Sequence, residues 1–121
     1  MLKAKTNLRL KGKIAEDLAA QFIQSKNFKI RERNWVLPNV GEIDIIAEKN
    51  GILNFIEVKA LWKSKYFQPE YHFNKKKIFK LTKLASFYAN RYNFDHWFLS
   101  LIAINFDNYK IQIKYYPRLI L

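Results

Sequence analysis

The segment that decides the fold runs from residue 41 to residue 59 and reads GEIDIIAEKNGILNFIEVK. At its centre, Asn50 and Gly51 form the preferred pair for a two-residue type I′ hairpin turn, because both positions need a positive φ. This turn pairs Lys49 with Ile52 and fixes the register of the two flanking strands. The sequence therefore predicts a β-hairpin.

Four charged side chains fall on one face of this hairpin. In the predicted register Asp44 lies opposite Glu57, and Glu42 lies opposite Lys59. Side chains alternate with period two, which adds Ile46 and Phe55 to the charged face. The other face is expected to carry Ile43, Ile45, Ile56 and Val58. Opposed carboxylates repel, because their Cβ atoms are only about 4.5–5.5 Å apart, so a compensating charge is expected.

Two interpretations of the charged face remain open. A divalent cation bound by oxygen ligands would offset the repulsion, and a lysine that contacts a scissile phosphate or an attacking water would complete a phosphodiester-cleaving site. Alternatively, Glu42 pairs with Lys59 and the carboxylates face water, since antiparallel sheets often leave one face solvated. A bulge or a longer turn would shift the register and weaken the first interpretation.

Composition favours one basic domain, residues 1–121, with a polyanionic partner. The net charge is +12, from 22 basic and 10 acidic residues, and this excess suggests DNA or RNA. The chain has no cysteine, which excludes disulfides and a thiolate metal site. Neither a signal core nor a bilayer-length apolar run is present, so a soluble, cytoplasmic protein without a membrane partner is expected.

Periodicity divides the chain into two helices and five strands. The first helix is predicted from Leu8 to Lys26, and the second follows a cap at Asn74 and runs to about Tyr92. Inward-facing residues of the first helix are expected to be Ile14, Ala15, Leu18, Ala19 and Phe22. Strands are expected at 28–32, in both arms of the hairpin, at 97–106 and at 109–116, with a loop over the site at 60–73. This order predicts an α/β fold, a mixed central sheet of about five strands flanked by helices.

Candidate residues also lie outside the hairpin. Glu16 stands at the border of the first helix's apolar stripe, where it either leans into a cleft or remains a solvated acid near Lys13. A cluster of basic residues on the second helix is predicted to contact the phosphate backbone of nucleic acid; it comprises Lys75, Lys76, Lys80 and Lys83, with Lys77 beside them. His72 and His96 lack spaced partners, so a zinc site is not expected.

The ordered combination of these motifs resembles the YraN-like family of predicted endonucleases. That family belongs to the PD-(D/E)xK nuclease superfamily and is similar to archaeal Holliday-junction resolvases. The matching residues are Gly12, Glu16, Ala19-Ala20, Asn34-Trp35, Gly41 to Ala47, Phe55 to Lys59, Lys75-Lys76 and Ile78. The match covers nearly the whole chain and implies a restriction-endonuclease-like core.

The resemblance also implies an activity and roles for individual residues. It implies a metal-dependent endonuclease that hydrolyses phosphodiester bonds, with DNA favoured over RNA and branched DNA as one substrate. Asp44 and Glu57 would hold Mg²⁺ or Mn²⁺ together with the carbonyl of Val58. Lys59 would orient the water or stabilise charge on the phosphate, and Glu16 would be an accessory acid near the metal.

Glu42 is an accessory candidate, because the hairpin register also offers it Lys59 as an ion-pair partner. The chain departs from the family pattern at residues 60–62, which read ALW where relatives usually carry a small residue and arginines, and at Ser100, where they often carry an acid. These departures concern substrate contacts and leave the metal ligands in place.

Three hypotheses of function therefore stand. The first is the metal-dependent endonuclease, and the second is a non-catalytic nucleic-acid-binding module that retains the nuclease fold. The third is an interaction protein whose exposed aromatic residues dock a protein partner. A homodimer would suit the cutting of two strands, but the sequence identifies no self-complementary surface.

Overall fold

Seven elements of secondary structure make up the part of the chain that the computed structural model describes, residues 2–62, 74–107 and 110–119. Side chains of the first helix are described from residue 10 onward. The elements are α1 (Leu2–Ser25), β1 (Lys29–Leu37), β2 (Gly41–Lys49), β3 (Ile52–Trp62), α2 (Lys75–Arg91), β4 (His96–Phe106) and β5 (Ile111–Tyr116). Neither helix has the length and apolar character needed to cross a bilayer.

The five strands form one mixed sheet in the order β1-β2-β3-β4-β5. All neighbouring pairs are antiparallel except β3 and β4, which run parallel from Ile52 beside His96 to Trp62 beside Phe106. Parallel neighbours need a long crossover, and the segment that contains α2 supplies it. The predicted fold class, a mixed sheet of five strands with flanking helices, is confirmed.

The hairpin has the predicted turn and register. Asn50 and Gly51 have φ values of 53° and 77°, as a type I′ turn requires. Lys49 pairs with Ile52, and the following pairs keep this register to Ile45 beside Ile56. The short-range signal in the sequence was therefore sufficient to fix this part of the sheet.

The sheet buries an apolar core on each face, one under each helix. Under α2 the core contains Ile46, Phe55, Leu84 and Tyr88 among its buried residues. Under α1 the buried residues are Ala15, Ala19, Ala20, Ile23, Ile45, Ala47, Ile56, Ile102 and Ile104. The predicted stripe of α1 is wrong at Ile14, which is 45% exposed, because the helix turns Ala20 and Ile23 toward the sheet.

Several boundaries differ from the sequence-based prediction. Helix α1 begins at Leu2, and β1 continues to Leu37, because its second half keeps pairing with β2 up to Gly41. Strand β3 continues to Trp62, so residues 60–62 are strand instead of loop. The rest of the predicted loop, residues 63–73 with His72, lies outside the described residues, as do residues 108 and 109.

Candidate active site

The backbone ladder between β2 and β3 ends just before the predicted acidic pair. The last paired residues are Ile45 and Ile56, one position short of Asp44 and Glu57. Beyond them, the carboxylate Oδ2 of Asp44 accepts a hydrogen bond from the backbone N–H of Val58 at 2.8 Å. The carboxylate of Asp44 therefore accepts the hydrogen bond of a backbone N–H beyond the last backbone pair, and this bond fixes the direction of the carboxylate.

The pairing of β1 with β2 is also interrupted at Asp44. At that level β1 carries Asn34, whose φ of 53° lies in the left-handed region. Regular alternation of side chains fails here, since Ile43 packs with Ile46 under α2 whereas Ile45 packs under α1. The prediction that Ile43 shares a face with Ile45 is therefore wrong, because alternation needs continuous pairing along the strand.

Two clefts open where β2 and β3 separate, and Glu57 lines both. The α1 cleft has a volume of about 420 Å³ and is lined by Gly12, Lys13, Ala15, Glu16, Asp44, Glu57, Val58 and Ala60. The α2 cleft has a volume of about 540 Å³ and is lined by Val36, Leu37, Asn39, Val40, Gly41, Glu42, Glu57, Lys77, Lys80, Leu81 and Leu84. Three of the predicted acids, Glu16, Asp44 and Glu57, thus share the α1 cleft, whereas Glu42 lines the α2 cleft. Glu57 stands at their boundary.

Glu57 is a strongly perturbed acid. Its side chain is 17% exposed, and its Oε1 lies 3.7 Å from Nζ of Lys77. Burial raises the pKa of Glu57 to about 7, and the negative charge of Asp44 and a hydrogen bond with its carboxyl group act in the same direction. The Lys77 ammonium opposes this rise. Asp44 therefore acts on Glu57 through both its charge and its carboxyl group.

Glu16 reaches the same place from α1. Its Oε2 accepts a hydrogen bond from Nδ2 of Asn34 at 3.4 Å and lies 3.9 Å from the Arg33 guanidinium, which pairs more closely with Asp17 at 2.8 Å. Burial raises the pKa of Glu16, the Asn34 hydrogen bond lowers it, and the charge of Asp44 raises it further. Of the two readings of Glu16, the acid that leans into a cleft agrees with this geometry.

The structure does not form the alternative Glu42–Lys59 ion pair. Glu42 is exposed at the start of β2. Lys59 is half-buried on β3, two residues beyond Glu57, where its backbone pairs with Ala103 of β4. Among the described residues, the ion pair that forms at this end of β3 joins Glu57 to Lys77.

The second helix brings some of its predicted lysines to the site and not others. The predicted contacts to nucleic acid are all exposed and comprise Lys75, Lys76, Lys80 and Lys83. Lys80 lines the α2 cleft and crosses Gly41, where a Cβ atom would stand 2.8 Å from Cε of Lys80. Lys83 instead places its Nζ 4.7 Å from the centre of the Phe79 ring. Glycine at position 41 therefore leaves the space in which Lys80 reaches the cleft.

Two residues have contacts at the site that the sequence did not predict, although Lys77 was named beside the basic cluster. Lys77 precedes the buried Leu81 by four residues, so helical periodicity alone could have placed it at the edge of the buried face. Asn34 carried a weaker signal, since asparagine tolerates the left-handed conformation that interrupts a ladder. Both contact predicted acids: Lys77 forms an ion pair with Glu57, and Asn34 donates a hydrogen bond to Glu16.

The acids do not form a ready-made metal centre of three side chains. Across residues 2–62, 74–107 and 110–119, no group of three or more Asp, Glu, His or Cys side chains is placed to hold one ion. The predicted ligand set needs only two acidic side chains, Asp44 and Glu57, with the carbonyl of Val58. The roles of Glu16 and Glu42 as accessory residues stay predictions.

Comparison with known proteins gives one consistent family. The model of the uncharacterised protein family UPF0102 matches residues 15–108. A UPF0102 protein of Petrotoga mobilis is 34% identical over 113 residues, which cover 91% of this chain and 96% of the relative. A UPF0102 protein of Helicobacter hepaticus is 46% identical over 82 residues, 68% of this chain and 71% of the relative. One of Wolinella succinogenes is 42% identical over 83 residues, 69% of this chain and 73% of the relative.

The arrangement of the sheet and the two helices identifies the fold class of the protein. A five-stranded mixed sheet with one helix on each face forms an α/β domain compatible with a restriction-endonuclease-like core. The chain belongs to the UPF0102 family, which is the YraN family. The predicted family is thereby confirmed, and the names of these relatives carry no activity.

Proposed function

We propose that this protein is a metal-dependent endonuclease that hydrolyses phosphodiester bonds in nucleic acid, with DNA as the favoured substrate. One observation carries the proposal: Asp44 and Glu57 line the α1 cleft together, and the N–H of Val58 holds the Asp44 carboxylate there at 2.8 Å. Two carboxyl groups in one partly buried place repel when both are ionised. A divalent cation would remove this repulsion, and the net positive charge of the chain suits a phosphodiester substrate.

The donor atoms fit Mg²⁺ or Mn²⁺. Both cations favour oxygen ligands, and Mg²⁺ usually keeps several waters, so two carboxylates and one carbonyl are a sufficient protein contribution. Asp44, Glu57 and the carbonyl of Val58 would supply these oxygens. The ligands must be deprotonated, so binding is expected to strengthen as the pH rises through the pKa of Glu57, about 7. When bound, the cation would stabilise negative charge on the phosphate and make water more acidic.

The remaining side chains act on the water and on the phosphate. In the proposed reaction a water oxygen attacks phosphorus, the bond from phosphorus to the leaving sugar oxygen breaks, and that oxygen takes a proton from a solvent water to become a hydroxyl. Lys59, on β3 two residues beyond Glu57, would hold this water or a phosphate oxygen. Glu16, whose pKa is raised by burial, would accept the proton that the water loses. Lys77 would exchange its contact with Glu57 for one with the substrate phosphate.

A cleavage assay tests the proposal. Labelled single-stranded, duplex and four-way-junction DNA, and the matching RNA, are incubated with the protein in Mg²⁺, in Mn²⁺ and in chelator. Cleavage is expected with either metal and not in chelator. In Asp44→Asn the cleavage rate should fall by at least about a hundredfold, because a neutral amide neither offsets the cation's charge nor replaces a charged oxygen ligand.

The control for this assay is Asp95→Asn, which removes one exposed carboxylate outside both clefts. It should cleave at the wild-type rate. Circular dichroism and thermal unfolding establish that both variants are folded. Full cleavage activity in folded Asp44→Asn protein would contradict the proposal.

The second candidate is the non-catalytic nucleic-acid-binding module, and one contact favours it. The ammonium of Lys77, 3.7 Å from Glu57, already supplies part of the positive charge that a metal would bring. A module of this kind would bind nucleic acid in a salt-sensitive way without metal-dependent turnover. In that case the wild-type protein and Asp44→Asn would bind nucleic acid with the same affinity.

A further inference from the structure

The α2 cleft has apolar walls that the proposed chemistry does not use. On the side of β1 and β2, Val36 and Val40 are 57% and 40% exposed although they are apolar. On the opposite side, Leu81 and Leu84 of α2 line the cleft. Leu81 and Leu84 are themselves buried, so the apolar surface that is open to solvent in this cleft belongs to Val36 and Val40. The hydrolysis of a phosphodiester bond requires none of it.

The same cleft carries two lysines of α2 as well as the acids Glu42 and Glu57. Lys77 and Lys80 line it from α2, and Lys80 reaches it across Gly41. Phosphate groups bind to such lysines, and the face of a nucleobase packs on apolar side chains. An apolar wall and two lysines thus match the two chemical halves of a nucleotide. The shared residue Glu57 connects this cleft to the acidic pair.

The size of the cleft favours a single nucleotide. Its volume of about 540 Å³ lies within the range of pockets that bind small molecules, roughly 300–1,000 Å³. A base that is paired and stacked within a duplex cannot enter such a cleft, and enzymes that act on single bases first remove them from the stack. The occupant must therefore be a nucleotide whose base is unpaired.

We propose that the α2 cleft binds the base of an unpaired nucleotide next to the cleaved bond. The inference rests on the proposed function and specifies its substrate class: nucleic acid with at least one unpaired nucleotide at the cleavage position. Lys77 and Lys80 bind the flanking phosphates, and the base packs between helix α2 on one side and Val36 and Val40 on the other. The affinity for nucleic acid then depends on contacts between the apolar wall and a base, in addition to contacts between lysines and phosphates.

The test separates bases from charge with two oligonucleotides of equal length. The first is oligothymidylate, about twelve nucleotides long, which lies within the usual site sizes for single-strand binders. The second has the same phosphates and an abasic sugar at every position. Fluorescence anisotropy in chelator gives the affinity for each without cleavage. Burial of roughly 60 Å² of a base predicts that the wild-type protein binds oligothymidylate about tenfold more tightly than the abasic strand.

The variant that tests the wall is Val40→Asn, which makes an exposed apolar residue polar without adding charge. Its matched control is Ile113→Asn on β5, because Ile113 is 38% exposed, similar to Val40 at 40%, and lines neither cleft. In Val40→Asn the affinity ratio between the two strands should fall toward about one, whereas Ile113→Asn should keep the wild-type ratio.

Each outcome has a defined meaning. A ratio near one in the wild type, or a ratio that Val40→Asn leaves unchanged, would overturn the inference and leave the nuclease proposal standing. Binding with the expected ratio but without cleavage in Mg²⁺ would contradict the nuclease proposal and support the base cleft. Absence of binding to both strands would overturn the inference, and the nuclease proposal would then depend on the cleavage assay with duplex and junction DNA.

Discussion

At the scale of single residues, the carboxyl group of Asp44 determines the shape of the site. It accepts the N–H of Val58 where the ladder between β2 and β3 has ended, and its charge raises the pKa of Glu57. On its other side the left-handed Asn34 interrupts the pairing with β1. These local irregularities keep the strands apart at this point, so that the acids face open clefts. A continuous ladder would leave less room for a ligand here.

Glu57 gives the stability of the fold a pH dependence of definite sign. Its pKa is about 7 in the folded chain against an ordinary value of 4.5, so between these values the folded chain holds a proton that the unfolded chain has lost. The free energy of unfolding should therefore fall as the pH rises through this window, by about 3 kcal/mol. Urea denaturation in chelator from about pH 5 to pH 8 measures this fall.

The comparison variant is Glu57→Gln, which keeps the shape of the side chain and removes the titrating group. Its free energy of unfolding should decline much less over the same range, so that it becomes more stable than wild type above neutral pH. Asp95→Asn controls for the loss of a carboxylate elsewhere. Parallel curves for wild type and Glu57→Gln would show that the Glu57 pKa is not raised.

At the scale of elements, helix α2 decides which cations face the acids. Asn74 caps the helix, and its side chain accepts the N–H of Lys77 at 2.8 Å. From this start, Lys77 and Lys80 face the α2 cleft, whereas Lys83 stacks beside Phe79. The exposed lysines of α2 therefore form a charged surface that continues from the cleft.

The contribution of this surface to binding is measurable through its salt dependence. Replacing Lys76, Lys80 and Lys83 together with alanine should weaken binding to nucleic acid. It should also flatten the plot of log affinity against log salt by about 0.7–0.9 for each phosphate contact that is lost. The measurement is anisotropy with labelled DNA over a series of salt concentrations, in chelator.

A second triple variant has the same change in charge outside both clefts. It replaces the exposed Lys26, Lys29 and Lys110 with alanine. This variant should keep a salt slope close to that of wild type. If the two triple variants lose the same slope, overall charge is responsible and α2 is not the interface.

Elements with local signals were the ones that the sequence predicted well. The Asn50-Gly51 turn and the Asn74 cap each depend on a few adjacent residues, and both form as expected. The exposure of Ile14 and the turn of Ile43 toward α2 were missed, because they depend on how a helix or a strand lies against its neighbours. Periodicity describes regular elements, whereas the site lies at an irregularity.

At the scale of the whole molecule, the topology gathers residues that are distant in sequence. Glu16, Asp44, Glu57 and Lys77 come from four different elements, and they meet where the sheet opens between its two helices. This small acidic region belongs to a chain whose net charge is +12. A metal-assisted reaction on a polyanion needs both features, acids for the cation and basic charge for the substrate.

The order of elements and the family resemblance were enough to predict the fold class and the identity of the acids near the cleft. They were not enough to predict that Glu42 lines a different cleft from Glu16 and Asp44, since this follows from the separation of β2 and β3. Nor could they identify Lys77 as the partner of Glu57, because that contact depends on how α2 packs on the sheet.

The central claim is that Asp44 and Glu57 hold a divalent cation, and titration with Mn²⁺ tests it most directly. Isothermal titration calorimetry is performed at about pH 8, where Glu57 is mostly ionised. Wild type and Asp95→Asn are expected to bind about one Mn²⁺ per chain, and Asp44→Asn is expected to bind it at least about tenfold more weakly. Wild-type protein that binds no Mn²⁺, or Asp44→Asn protein that binds it equally well, would contradict the claim.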